Sequence, residues 1–382
     1  MNRIFIIAGE VSGDTHAAGL LRELKTLEPD MKVIGLGGPK MRELIGEGIE
    51  DWVETAGVVG LWEVVKMYRY FKEKLDAVLD AILDQKPEAV ILVDYPGFNL
   101  RLAKALRLGG YKGRILYYIS PQVWAWKKGR VKTMAQVLDL MICIFPFEKE
   151  FYEKSGLRTE FSGHPMVDRV VTLKREWKRE PGLVGWFPGS RLNEVRRLFP
   201  LMMEAAKLIK QAVPGARFAV SAANETLAGF MRNMADEHGM PEAKRWIETG
   251  TVYDLMQRAE AGAVASGTAT LEAACFGLPY TLIYNVSWPT YVIGKLVVRI
   301  KHLGIVNILA KREVVKELIQ GQLNAASLAN ATGDLLASES KRQQLQKELA
   351  DVVATLGSGG AYARAAQAVH ESLPQQPSQT LT

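Results

Sequence analysis

Short, wholly apolar runs separated by amphipathic segments recur along the chain, and no other feature restricts its fold so tightly. In the first half they are IFIIA (4–8), KVIGLGG (32–38), AVILVD (89–94), RILYYIS (114–120) and LMICIF (140–145). In the second half they are LVGWF (183–187), RFAVSA (217–222), AGAVAS (261–266) and PYTLIY (279–284). A strand that is apolar on both sides needs cover on both sides, which is the environment of a parallel sheet. Helical patterns follow the strands, at 16–27 after the first and in the Gly-closed GFNLRLAKALRLGG after the third. Strand–helix alternation of this kind predicts an α/β fold of doubly wound parallel sheets.

The plan runs twice, interrupted by the polar, basic stretch TLKREWKREPG (172–182). A length of 382 residues suits two domains. We therefore expect one Rossmann-like domain over 1–172 and another over 173–350. A helical segment over 351–373 should pack back on the first domain or on a partner, and a polar tail over 374–382 should be disordered. Two such domains leave a cleft, and open α/β sheets bind ligands beyond the carboxyl ends of their strands.

Several function classes drop out on composition. The chain is 48% hydrophobic and 24% charged, as in ordinary soluble globular proteins. A net charge of +6 suits phosphate-bearing molecules or an anionic surface, and nothing points to a nucleic-acid partner. Cys143 and Cys275 sit in apolar runs and read as buried free thiols; two cysteines make neither a disulfide framework nor a zinc cluster. Histidines 16, 164, 238, 302 and 370 lack metal-ligand spacing, and no D-x-D occurs, so no metal site is expected. The N-terminal apolar run is too short for a signal peptide, and no stretch reaches the length of a membrane span, which predicts a cytoplasmic protein.

The chemistry-bearing motifs all stand at predicted strand ends. PGSR (188–191) ends a strand and opens a helix, where unpaired amides and the helix dipole favour an anion. Ser190 can cap that helix and Arg191 can grip a phosphate bidentately; a capped helix with a solvated arginine is the plainer alternative. ASGTATLEAACFGLP (265–279) repeats the design, with Ser266, Gly267 and Thr268 at the helix mouth and a stop at Gly277. Glu272 inside that helix would repel phosphate but suits the paired hydroxyls of a ribose, unless it merely complements the dipole. Two such turns in one domain point to a nucleotide. GEVSGD (9–14) is a third strand-to-helix turn, but it is not GxGxxG. ILVDYPGFN (91–99) places Asp94 at a strand end, where a carboxylate serves as a general base or as a helix cap. YYISPQVWAWKKGRVK (117–132) joins aromatic and basic residues, with packing as the plainer reading of its tryptophans. SWPTYVIGKLVVRIKHLG (287–304) fits a core helix or a helix lying on anionic lipid equally well.

In this order and spacing, GEVSGD, DYPGFN, YISPQVWAW, FPFEKEFY, GHP, PGSR…E and SGTATLE closely resemble the lipid-A-disaccharide synthase family, from about residue 4 to about residue 320. The resemblance implies an inverting B-type glycosyltransferase with an acceptor-binding first domain and a second domain that binds the sugar nucleotide. It implies transfer from UDP-2,3-diacylglucosamine to 2,3-diacylglucosamine 1-phosphate in lipid A (lipopolysaccharide) biosynthesis. UDP is released, no cofactor is used, and the enzyme works peripherally on the cytoplasmic face of the inner membrane. It matches the family's base to Asp94 and its nucleotide contacts to Arg191, Glu272 and Asn307, with Ser190, Ser266, Gly267 and Thr268 beside them. Ser12, Asn99, Gln122 and Trp124 become candidates for acceptor or lipid contact, and a homodimer is compatible with the plan. The chain departs from the family in having Val306 where proline usually precedes the asparagine, and Lys311 where a small residue is usual. A sugar-nucleotide 2-epimerase of the same two-domain plan, or a non-catalytic nucleotide sensor at the membrane, are the competing functions.

Overall fold

The computed structural model describes residues 2–53, 63–126, 129–288, 291 and 301–374. The chain divides into two compact units, Met1–Pro165 together with Leu356–Thr382, and Met166–Thr355. The break falls earlier than the polar stretch 172–182 led us to expect. Met166, Val170 and Leu173 pack into the core of the second unit. The basic stretch itself is partly structural: the Arg179 guanidinium donates to the carbonyls of Met256 at 3.1 Å and Phe276 at 2.9 Å. Burial pulls that guanidinium down to about 10.

The first unit is a seven-stranded parallel sheet of β1 (Arg3–Ala8), β2 (Lys32–Gly37), β3 (Ile49–Asp51), β4 (Ala89–Val93), β5 (Arg114–Tyr118), β6 (Leu140–Cys143) and β7 (Thr159–Phe161). Its order is β3-β2-β1-β4-β5-β6-β7. The second unit has six parallel strands, β8 (Glu180–Phe187), β9 (Arg217–Ala222), β10 (Ile247–Thr249), β11 (Ala259–Ala265), β12 (Tyr280–Tyr284) and β13 (Glu317–Ile319). They lie in the order β10-β9-β8-β11-β12-β13. All nine strands expected from apolar runs form. The four that were not expected, β3, β7, β10 and β13, are the edges of the two sheets, each three residues long. An edge strand has one neighbour and less cover, so it needs no long apolar run.

Covered strands carry the cores. Every side chain of β4 is buried. Phe98, Leu102 and Leu106 of the helix Pro96–Leu108 recur at four-residue spacing and lie against Val90, Leu92, Ile115 and Tyr117. In the second unit Val195, Phe199 and Met202 of the helix Leu192–Ala212 cover Val184 and Trp186 on one face. Leu255, Ala273 and Leu349 cover Phe187, Val264 and Leu282 on the other. The C-terminal helix Ala361–Ser372 belongs to the first unit, with its Tyr362 ring against Gly19 and its hydroxyl 3.0 Å from His16 Nδ1. Residues 289, 290 and 292–300 of the apolar-basic segment, Lys127 and Lys128 of the basic cluster, and 375–382 of the tail lie outside the described residues.

Strand order decides where ligands belong. In each sheet the chain winds outward from the middle in both directions. The reversal falls between β1 and β4 in the first unit and between β8 and β11 in the second. Such switch points leave a crevice at the carboxyl ends, because the helices after the two strands leave to opposite faces.

Candidate active site

GEVSGD follows β1 and DYPGFN follows β4, so both flank the first switch point, where Ala8 pairs with Val93. The helix Val11–Leu27 begins there, with Glu10 at its N-cap position and Ser12 exposed in its first turn. Asp14 of the same motif is buried and structural. Its Oδ1 accepts from the amides of Gly38 at 2.9 Å and Met41 at 3.1 Å, and its Oδ2 from Lys40 at 3.0 Å, which caps the next helix, Pro39–Ile45.

Asp94 and Tyr95 both adopt left-handed backbone, at φ +47°. Neither is glycine, so each position costs on the order of 1–2 kcal/mol that surrounding contacts must offset. Those contacts are present. The Asp94 amide donates to the Tyr118 carbonyl at 3.0 Å. The Asp94 carbonyl accepts from Asn99 Nδ2 at 2.7 Å and from the Tyr117 hydroxyl at 2.5 Å. The Tyr95 ring fills the space that a side chain at Gly9 would need, since a Cβ there would lie 2.3 Å from Tyr95 Cδ1. Asn99, expected as an acceptor or lipid contact, acts here as a brace: it is fully buried, and its Nδ2 also reaches the Val93 carbonyl at 3.2 Å. Burial above all, and then the negative charge of Glu10, push the Asp94 carboxyl up to about 6, against the opposing pull of the Tyr95 amide. The result is a carboxylate at a strand end that holds a proton more tightly than an ordinary aspartate and is still mostly ionised at neutral pH.

The neighbouring loop after β5 divides the remaining candidates. Gln122 is exposed, whereas Trp124 is buried. The Trp124 indole donates to Glu148 Oε1 at 2.9 Å, so this candidate for acceptor or lipid contact packs inward. Glu148 is itself fully buried and accepts from the Phe145 amide at 3.2 Å; burial pushes its carboxyl up to about 7. Tyr152 ties the same loop down by donating to the Pro121 carbonyl at 2.6 Å.

PGSR follows β8 and SGTATLE follows β11, so the second pair of motifs flanks the second switch point, where Phe187 pairs with Val264. Gly189 turns the chain at φ +101°, and a Cβ there would lie 2.2 Å from Glu194 Oε2. Arg191, not Ser190, takes the N-cap position of the helix Leu192–Ala212, with its amide held by Glu194 at 3.4 Å. Ser190 therefore stands exposed one residue before the cap. The Arg191 guanidinium rests on Glu194 Oε1 at 2.9 Å with 82% of the side chain exposed, so little holds it back from an arriving anion. Gly267 and Thr268 are exposed at the start of the helix Thr268–Cys275, and Ser266 is half-buried behind them. The expected glycine stop is present: Gly277 has φ +64°, and Leu278 donates to the Ala273 carbonyl at 2.9 Å.

Glu272 is half-buried and accepts from the Tyr253 hydroxyl at 3.0 Å. The Arg169 guanidinium lies 5.0 Å from the Tyr253 ring centre. Burial raises the Glu272 carboxyl, while the Tyr253 bond and the Arg169 charge lower it. Neither Tyr253 nor Arg169 was legible as a site residue, because each is brought to Glu272 only by the fold. Asn307, expected as a nucleotide contact, stands inside the second unit. Its side chain is fully buried, donating to Val315 O and Glu317 Oε1, both at 2.8 Å, and accepting from the amides of Val314 at 2.8 Å and Val315 at 2.9 Å. That uses the full hydrogen-bonding capacity of the side-chain amide.

The family profile of lipid-A-disaccharide synthetase matches residues 4–372. The chain belongs to the lipid-A-disaccharide synthase family. It is 40% identical to the lipid-A-disaccharide synthase of Geobacter sulfurreducens, over 98% of this chain and 98% of that one. To the Myxococcus xanthus enzyme it is 35% identical, over 97% and 98%. Family membership makes it a hexosyltransferase of lipid A biosynthesis. In structure it is similar to the calicheamicin glycosyltransferase CalG4, with a TM-score of 0.58 at 15% identity over 97% of this chain and 98% of that one. It is also similar to a putative UDP-N-acetylglucosamine 2-epimerase from Listeria monocytogenes, with a TM-score of 0.62 at 11% identity over 97% and 94%. At such identities the likeness carries the two-domain α/β fold of B-type glycosyltransferases, and the epimerases are relatives in fold alone.

Proposed function

We propose that the enzyme transfers 2,3-diacylglucosamine from UDP to the 6-hydroxyl of 2,3-diacylglucosamine 1-phosphate, with Asp94 as the base. The supporting observation is the Asp94 turn: a desolvated carboxylate, braced from three sides, at the switch point of its sheet. Asp94 takes the hydroxyl proton as the acceptor oxygen bonds to the anomeric carbon. The bond from that carbon to the diphosphate breaks, and its electron pair leaves with UDP. Direct attack on an α-linked donor inverts the carbon and yields a β-1,6 link. Negative charge grows on the departing diphosphate, where Arg191 and the helix mouths at Ser190 and at Ser266, Gly267 and Thr268 would meet it without metal or cofactor. Glu272, oriented by Tyr253, would take the ribose hydroxyls.

In this reading the enzyme acts at the cytoplasmic face of the inner membrane, since both substrates carry acyl chains. No helix among the described residues is long and apolar enough to cross a membrane. Trp288, 65% exposed at the start of the apolar-basic segment, supports a peripheral contact there. The deciding experiment incubates the protein with radiolabelled UDP-diacylglucosamine, with and without acceptor, and reads disaccharide and UDP. Acceptor-dependent disaccharide that persists in EDTA is expected. An epimerised donor without acceptor would overturn the reading, and a magnesium-restorable loss in EDTA would overturn its metal-free form.

A further inference from the structure

A groove of about 380 Å³ lies in the first unit between the helices Pro96–Leu108 and Arg130–Val137. Its lining begins at Pro96, two residues after Asp94. Apolar Leu100, Met134 and Val137 make the floor, and the exposed cations Arg101, Lys104 and Arg130 make the rim. Arg101 and Lys104 are three residues apart on one helix and so share a face, while Arg130 opens the facing helix. Among the described residues none of these three cations has an acidic partner or a hydrogen bond. Arg107, further along the first of these helices, shows what a structural cation looks like: it pairs with Asp139 and donates to the carbonyls of Val137, Tyr111 and Gly113. Among the described residues, then, Arg107 is paired and the three cations at the groove are not.

We propose that this groove receives the phosphate monoester of the acceptor, with Arg101, Lys104 and Arg130 gathered on the dianion and the apolar floor against the adjoining acyl carbons. The match is one of charge and shape. Guanidinium groups fork onto two phosphate oxygens at once, an ammonium adds a point charge, and an apolar floor excludes water from the contact. The assignment rests on the reading of the acceptor as an acylated sugar phosphate.

The test is calorimetric binding of a short-chain 2,3-diacylglucosamine 1-phosphate and of the same acyl sugar without its phosphate. Wild type should bind the phosphorylated compound more tightly. In an Arg101→Gln/Lys104→Gln/Arg130→Gln variant that preference should collapse by roughly tenfold or more, the scale of one lost charge-assisted contact. Affinity for UDP and for the neutral sugar should hold, which also shows that the variant is folded. Equal weakening for both sugars, or no weakening, overturns the proposal. So does a variant that keeps the phosphate preference but no longer floats with phosphatidylglycerol vesicles, which would give the cations to the bilayer instead. A wild-type protein that shows the preference yet makes no disaccharide would sink the transfer reading and leave the groove's assignment standing.

Discussion

In an Asp94→Asn variant the side chain keeps its shape, and asparagine tolerates the left-handed backbone at φ +47° at least as well as aspartate. What changes is charge. In the folded protein the Asp94 carboxyl is raised from 3.8 to about 6, chiefly by burial and then by Glu10. A raised acid binds its proton more tightly folded than unfolded, so the carboxyl lowers stability as pH climbs through the window from near 3.8 to about 6. Above that window the loss is complete. About two pH units at about 1.36 kcal/mol each set its ceiling at roughly 3 kcal/mol. Asparagine escapes it, so the variant should melt higher than wild type at pH 8, by up to roughly 10 °C for a unit of this size. At pH 4.5 the gain should shrink to roughly a third. Turnover should fall by about 10²–10⁴-fold, the usual worth of a general base, while UDP affinity stays near wild type. Paired melting curves at the two pH values and a disaccharide assay check all of this. Identical melting at pH 8 would mean the carboxylate is not desolvated, and retained turnover would place the base elsewhere.

Glu10→Gln removes the second cause of the Asp94 shift, so the rise of kcat/KM with pH, expected through about 6 in wild type, should move toward acid; an unmoved profile would free Asp94 from Glu10. Arg191→Ala should weaken UDP far more than uridine, whereas Glu272→Ala should weaken both; equal losses for both ligands in both variants would contradict the phosphate and ribose assignments. Asn307→Ala strands the amides of Val314 and Val315 and the carbonyl of Val315. At roughly 1–3 kcal/mol for each buried unsatisfied group, a denaturant midpoint should report a loss of about 3–5 kcal/mol. A stable Asn307→Ala protein that cannot bind UDP would give this residue a nucleotide role instead.

Local signals made much of this protein legible without coordinates. Nine interior strands announced themselves because a strand covered on both faces must be apolar throughout, and that requirement is written in consecutive residues. The turns PGSR, SGTATLE and DYPGFN were visible for the same reason, since a strand end, a turn and a helix start need only a dozen neighbouring residues. What single residues do was decided by contacts that only the folded chain makes, some between near neighbours and some across long stretches. Asn99, Trp124 and Asn307 looked like ligand contacts, yet each is buried with its amide or indole donor spent on the fold. Tyr253 reaches Glu272 across 19 positions, and Glu10 acts on Asp94 across 84. Strand order belongs to the tertiary structure as well. Parallel strands pair through hydrogen bonds between residues tens of positions apart, such as Ala8 with Val93 and Phe187 with Val264. Backbone amides and carbonyls are the same in every residue, so side-chain pattern specifies that a strand forms but not which strand lies beside it. Only that pairing brings β1 beside β4 and β8 beside β11, and so gathers four strand-end motifs in pairs at the two switch points.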